Sequence, residues 1–136
     1  MESTFSSKGE LLTMSAVGVT ELTIYYDFHG NPISTTNSSG NTQEYEYNNR
    51  GELISVSDSL GDVLSMTHND AGQVTSISNA EGMLTNFTYD TRGRLSTRTI
   101  TYQGSTRTDT YSYDNSNRIT RIDYADGNYV DRKSVV

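Results

Sequence analysis

Tyr89-Asp90-Thr91-Arg92-Gly93-Arg94-Leu95 decides how this chain folds, because the chain repeats it. Tyr47-Asn48-Asn49-Arg50-Gly51-Glu52-Leu53 and His68-Asn69-Asp70-Ala71-Gly72-Gln73-Val74 stand upstream, and Tyr26-Asp27-Phe28-His29-Gly30 stands further back. Tyr113-Asp114-Asn115-Ser116-Asn117-Arg118-Ile119 stands downstream. Gly30, Gly51, Gly72 and Gly93 are each 21 residues apart, and Gly9 lies 21 before Gly30 with Phe5 in the aromatic place. From Gly93 to Asn117 the step is 24, a three-residue insertion. A second glycine series, Gly40, Gly61 and Gly82, falls 10 residues after the first; Gly127 falls 10 after Asn117, and Gly104 falls 11 after Gly93. A fixed period of this length is the mark of a repeat architecture.

Each half-period reads as a strand and a turn. Asp27, Asn48, Asn69, Asp90 and Asp114 open the first turn series, and Gly30, Gly51, Gly72, Gly93 and Asn117 follow three residues later. An Asx side chain can bond the backbone ahead of it, and the fourth position of such a turn favours a residue that tolerates positive φ. A type I turn closing on a left-handed residue is a common hairpin connection with a bulge. The stretches Asn37-Ser38-Ser39-Gly40, Asp58-Ser59-Leu60-Gly61, Asn79-Ala80-Glu81-Gly82 and Tyr124-Ala125-Asp126-Gly127 carry similar turn chemistry.

The strands declare themselves by parity. In Glu44-Tyr45-Glu46-Tyr47 aromatics alternate with acids, and Ser65-Met66-Thr67-His68, Asn86-Phe87-Thr88-Tyr89 and Thr110-Tyr111-Ser112-Tyr113 alternate in the same way. Period-two alternation predicts half-buried antiparallel strands. After each first-series turn the spacing Leu53, Ile54, Val56 breaks the alternation and predicts a bulge. The expected fold is therefore all-β. It is an antiparallel β-hairpin repeat array of about six 21-residue units, roughly twelve strands, forming a long curled sheet. Residues 1–24 are expected to be a degenerate first repeat or an N-terminal cap, 25–130 the repeat sheet and 131–136 a tail.

Composition narrows the function. Hydrophobic residues make up 32% of the chain, too few for a thick two-layer core, while Tyr numbers ten. The net charge of −7 argues against sequence-independent nucleic-acid binding, which draws its affinity from basic side chains on phosphates. It argues equally against docking on an anionic membrane. The run Leu11-Leu12-Thr13-Met14-Ser15-Ala16-Val17 is too short and too polar for a membrane span, and Met1-Glu2-Ser3-Thr4 lacks the positive start of a persuasive signal peptide. There is no Cys, hence no disulfide framework or thiol chemistry.

A Tyr-Asp dipeptide, two variable residues, then Gly, Arg and Leu, recurring about every 21 residues, resembles the YD repeat of the Rhs family. Residues 89–95 match at every fixed position, and the other copies match in part; the copy at His68 keeps only Gly72 and an apolar Val74. The resemblance covers roughly residues 5–130 and implies a structural role. Such repeats build a sheet that coils into a hollow shell. The shell encloses a toxin domain in bacterial polymorphic toxins and insecticidal toxin complexes, and serves cell adhesion in the related teneurins. Bacterial members end the repeats at an Asp-Pro self-cleavage site. The single proline here is Pro32, after Asn31, so the chain is expected to lack that segment and the toxin. The family implies a bacterial protein that is secreted or delivered to the extracellular space or a target cell.

No reaction is legible. His68 falls at an aromatic anchor and His29 within a turn, and no histidine or cysteine ligand spacing for zinc is present. The recurring Asp residues are explained by turn capping, and Asp114-Asn115-Ser116-Asn117-Arg118 places an Arg where a calcium ligand would fall. No nucleophile elbow or phosphate-binding glycine loop occurs. The expectation is a non-enzyme without metal or cofactor. The alternative is a carbohydrate or cell-surface binding module using Tyr45, Tyr47, His68, Phe87, Tyr89, Tyr111 and Tyr113 as an aromatic contact face. Expected partners are further repeats or copies of this chain through sheet edges, an enclosed toxin polypeptide, or a saccharide.

Overall fold

The structure is a computed structural model that describes residues 2–5, 11–15 and 22–132, the first two stretches as backbone strands. Gly9, which belongs to the worn first copy, and residues 133–136 of the expected tail lie outside the described residues. The described residues form thirteen strands. They are β1 Glu2–Phe5, β2 Leu11–Ser15, β3 Leu22–Tyr26, β4 Pro32–Asn37, β5 Thr42–Tyr47, β6 Leu53–Asp58, β7 Gly61–His68, β8 Val74–Asn79, β9 Leu84–Tyr89, β10 Leu95–Tyr102, β11 Ser105–Tyr113, β12 Ile119–Asp123 and β13 Tyr129–Asp131. The chain divides into two units, Met1–Ser65 and Met66–Val136. Each is an antiparallel sheet in which strand order follows chain order.

The two glycine series make the two ends of the strands. At every first-series turn the Asx residue donates its N–H to the carbonyl four residues on and accepts from the N–H three residues on. Asp90 bonds Arg94 at 2.8 Å and Gly93 at 2.9 Å in this way. Gly93 sits at φ +76°, and Asn117, which replaces glycine in the last copy, sits at φ +62°. Asn is the side chain most at ease there after glycine. The strand leaving the turn then carries one extra residue. Tyr47 faces Leu53 while Glu46 faces Ser55, so Ile54 is left over. The same shift frees Ile33, Ser96 and Thr120. The bulge restores parity, and Val56 returns to the face that holds Tyr45.

The second series is less uniform. Asn37 and Asn79 build the same turn as the first series, with Gly40 and Gly82 donating to their carbonyls. Asp58 instead pairs directly with Gly61, leaving a loop of Ser59 and Leu60. Tyr102 pairs directly with Ser105 around Gln103 and Gly104, both at positive φ. That is a two-residue primed turn, matched to the right-handed twist of its strands. The three inserted residues lengthen this hairpin: β10 has 8 residues and β11 has 9, against 6 in β8 and β9.

The faces differ sharply. One carries hydroxyls in register: Thr88 bonds Thr97 at 2.7 Å, Thr99 bonds Thr108 at 3.0 Å and Thr101 bonds Thr106 at 3.1 Å. The other carries rings and aliphatics: Tyr45 faces Val56, which faces Leu64; Tyr111 faces Ile122, which faces Val130. No apolar side chain among the described residues is fully buried. A sheet has a dry interior only where a second layer covers a face, so the apolar side chains described here are half-buried or exposed.

Candidate functional site

Chemistry in this chain concentrates on the first-series turns and the tyrosines that lead into them. The Asx side chain does more than open the turn. Oδ1 of Asp90 accepts from the N–H of Arg92 at 2.9 Å and of Arg94 at 3.0 Å. Asp27, Asn48, Asn69 and Asp114 accept the corresponding pairs. These N–H groups have lost strand partners to the turn and bulge, and one oxygen satisfies two of them.

The second side-chain atom of each Asx residue meets the residue four places on, and the two are matched in polarity. Where the Asx residue is Asp, the partner donates: Asn31 to Asp27 at 3.2 Å, Arg94 to Asp90 at 2.7 Å and Arg118 to Asp114 at 2.8 Å. Where it is Asn, the partner accepts: Asn48 donates to Glu52, and Asn69 donates to Gln73 at 3.1 Å. All five turns obey this rule. The carboxyls of Asp27, Asp90 and Asp114 are held below their usual range, first by the backbone N–H of the residue four on, against partial desolvation. The sequence already displayed this complementarity in Asn31, Glu52, Gln73, Arg94 and Arg118; reading the position as the motif's Arg, without pairing it to the Asx residue four places before, missed it.

Two of these partner residues also reach the next turn. Gln73 Nε2 donates to the carbonyl of Gly93 at 2.7 Å, and Arg94 Nη1 donates to the carbonyl of Asp114 at 3.1 Å and to Asn117 Oδ1 at 3.2 Å. The Arg94 guanidinium also lies 4.6 Å over the Tyr113 ring.

The tyrosines reach the other way. Tyr47 donates its hydroxyl to the carbonyl of Pro32 at 2.8 Å, Tyr89 to Val74 at 2.6 Å and Tyr113 to Leu95 at 2.7 Å. Each acceptor is the second residue after the previous copy's turn Gly. Partial burial raises the hydroxyl pKa of Tyr47 and Tyr113. His68 occupies the same place in its copy, and its Nδ1 is buried with no hydrogen-bond partner.

The expected aromatic face is thus occupied differently from a flat stacking surface. Tyr45, Tyr47, His68, Phe87, Tyr89, Tyr111 and Tyr113 are all half-buried. Among the described residues the one ring–ring contact is Phe28 with His29. The reason is spacing: Tyr89 and Tyr113 lie two strands apart, roughly 10 Å, with β10 between them. Tyr45 turns its hydroxyl to Gln43, and Phe87 faces Arg98, which pairs with Asp109 at 2.7 Å. Asp109 is the one buried polar residue among those described, and it also accepts from the N–H of Ala125.

Among the described residues there is no cluster of three or more His, Asp or Glu side chains placed to hold a metal ion. Among the same residues no helix is long and apolar enough to cross a membrane. Open grooves lie between turns among the described residues. One of about 570 Å³ is bordered by Asp27, Phe28, His29, Tyr47 and Arg50.

Two family models match. The Teneurin YD-shell model matches residues 55–132 and the RHS Repeat model matches residues 26–63. No curated protein matches the chain. Among solved structures, the TcdB2-TccC3 structure has a TM-score of 0.76 at 18% identity over 88% of this chain. TcdB2-TccC3-Cdc42 has 0.71 at 20% over 77%, and the Photorhabdus luminescens Tc holotoxin pore has 0.71 at 20% over 80%. At these identities the likeness shows the fold. The chain spans only 5%, 6% and 7% of the length of the Cdc42 complex, holotoxin and TcdB2-TccC3 chains respectively.

Proposed function

Because this chain belongs to the teneurin YD-shell family of RHS-type repeats, we propose that it is a non-enzymatic wall segment of an encapsulating shell. The shell would belong to a secreted or delivered toxin-type protein and would enclose a toxin polypeptide. The observation that carries this is the direction of the chemistry. Polar groups at repeated positions are spent on the neighbouring copy: the hydroxyls of Tyr47, Tyr89 and Tyr113 on the carbonyls behind, Gln73 and Arg94 on the turns ahead. A catalytic set would converge on a point; this one runs along a line, as joints in a wall do. The half-buried rings of the other face are apolar surface that a second layer or an enclosed polypeptide could cover.

A saccharide-binding role has less support, since Tyr47, Tyr89 and Tyr113 already commit their hydroxyls to backbone carbonyls. The test is light scattering on the isolated chain after size exclusion, with circular dichroism on the same peak. β-rich assemblies well above 15.1 kDa support a wall segment seeking neighbours. A β-rich monomer that binds a glycan panel would overturn it.

A further inference from the structure

Two first-series turns are bridged from the copy before, and the turn of Asn48 is not. Gln73 Nε2 donates to the carbonyl of Gly93 at 2.7 Å. Arg94 Nη1 donates to the carbonyl of Asp114 at 3.1 Å, with its guanidinium over the Tyr113 ring. Asn31 holds the same place in its own copy and is too short to span; its amide ends on Asp27 at 3.2 Å. The groove of about 570 Å³ between the turns of Asp27 and Asn48 is therefore open, and it lies wholly within the unit Met1–Ser65. Its volume is that of an ordinary ligand site. The turn of Asp27 brings Phe28 and His29 to its border, and the facing copy brings Tyr47, Asn48 and Gly51. Phe28 is 77% exposed, and its ring lies 3.7 Å from that of His29. The other copies carry Asn49, Asp70, Thr91 and Asn115 at that position, all polar. The turn itself does not call for a large ring there, whereas a ligand in the groove would meet one.

We propose that this groove binds an arginine side chain presented by a partner polypeptide. The site does not depend on the shell-wall reading. Its occupant follows from what fills the same place elsewhere in the chain. The carbonyls of Asn48 and Gly51 correspond to those of Asp114 and Gly93, which Arg94 and Gln73 bond. The Tyr47 ring corresponds to the Tyr113 ring that the Arg94 guanidinium covers at 4.6 Å. An incoming guanidinium donates to the two carbonyls and lies over Tyr47, while Phe28 offers a second ring face to the cation or to its stem. The charges agree with a cation. Arg50 also borders the groove, but Glu52 balances it at 3.2 Å, and the Asp27 carboxylate leaves the border net negative. A lysine fits less well, because a compact ammonium cannot lie flat on a ring and spread its donors over two carbonyls.

The probe is an end-blocked Gly-Arg-Gly peptide, and its binding to the full chain is read by saturation-transfer difference NMR, which works on monomers and assemblies alike. The expected result is binding that weakens about fivefold when lysine replaces the peptide's arginine, and about threefold when the chain carries Phe28→Ser, the loss of one exposed cation–ring contact. Leu60→Ser, at another exposed apolar turn residue, should leave binding unchanged. Asn31→Arg supplies the guanidinium from within, in the arrangement Asp90 and Arg94 already adopt. It should abolish peptide binding and raise the melting temperature by a few degrees, the effect of one added turn contact. Equal binding of the arginine and lysine peptides would show mere attraction to an acidic surface and overturn the site. Binding that survives both Asn31→Arg and Phe28→Ser would place it elsewhere and also overturn it. Free arginine binding as tightly as the peptide would overturn the polypeptide occupant. No saturation transfer at about 10 mM peptide would overturn the proposal, and the wall reading would stand.

Discussion

The hydroxyl of Tyr113 donates to the backbone carbonyl of Leu95, 18 residues earlier, at 2.7 Å. With the three inserted residues removed the separation is 15, the same as for Tyr47 with Pro32 and Tyr89 with Val74. The insertion lengthens β10 and β11 and leaves the joint intact. A contact kept through a change of length is set by the ends of the strands.

Tyr113→Phe and Tyr89→Phe keep the ring and lose the bond. Each should lower stability by about 1 kcal/mol, the usual net worth of such a hydrogen bond. Tyr45→Phe, whose hydroxyl meets only the side chains of Gln43 and Thr35, should cost less. Urea denaturation of the three variants checks this, and equal costs would count against the joint.

The matched polarity of each turn predicts a rescue. Asp90→Asn sets an amide against the Arg94 guanidinium, two donors facing one another. Adding Arg94→Gln recreates the pairing of Asn69 with Gln73, whose amide still reaches the next turn. Thermal melts should place the single variant a few degrees below the parent, on the order expected for one turn contact. The double variant should lie above the single.

Gly93 at φ +76° leaves open room for a Cβ, with only Gln73 Nε2 near at 3.5 Å, so a substitution there meets backbone strain and no clash. Gly93→Val should cost about 1–3 kcal/mol. Gly93→Asn should cost clearly less, because Asn117 holds that conformation in the last copy. Equal costs in chemical denaturation would show that the left-handed backbone is not what the position selects.

Acid should loosen the turns. The folded-state pKa values of Asp27, Asp90 and Asp114 lie below 3.8, so their contribution is complete above that value and is lost as pH falls through the lowered ones. Asp123 and Asp126, also lowered, act in the same direction. The melting temperature should hold near pH 5 and drop below about pH 4. A flat profile from pH 5 to pH 2 would refute the assignment.

The primed turn at Gln103-Gly104 has a suboptimal first residue, at φ +48°. Gln103→Asn supplies the residue that favours this turn and should raise stability by about 0.5 kcal/mol, read in the same denaturation series.

The sequence determined the period, the strand parity, the Asx-to-Gly turns and the bulge after them. All of these depend on residues within a few places of one another, where turn stereochemistry and period-two burial act directly. The polarity match of Asp90 with Arg94 and Asn48 with Glu52 was equally local and could have been read there. Only the tertiary structure decided what the tyrosines do. Whether Tyr89 stacks on a ligand or bonds Val74 depends on which carbonyl of the adjoining strand lies within its reach, and register between strands sets that distance. Only the structure, too, separated Arg94 from Arg118, identical in sequence role and unlike in exposure, because covering by a neighbouring copy is a property of the assembled sheet.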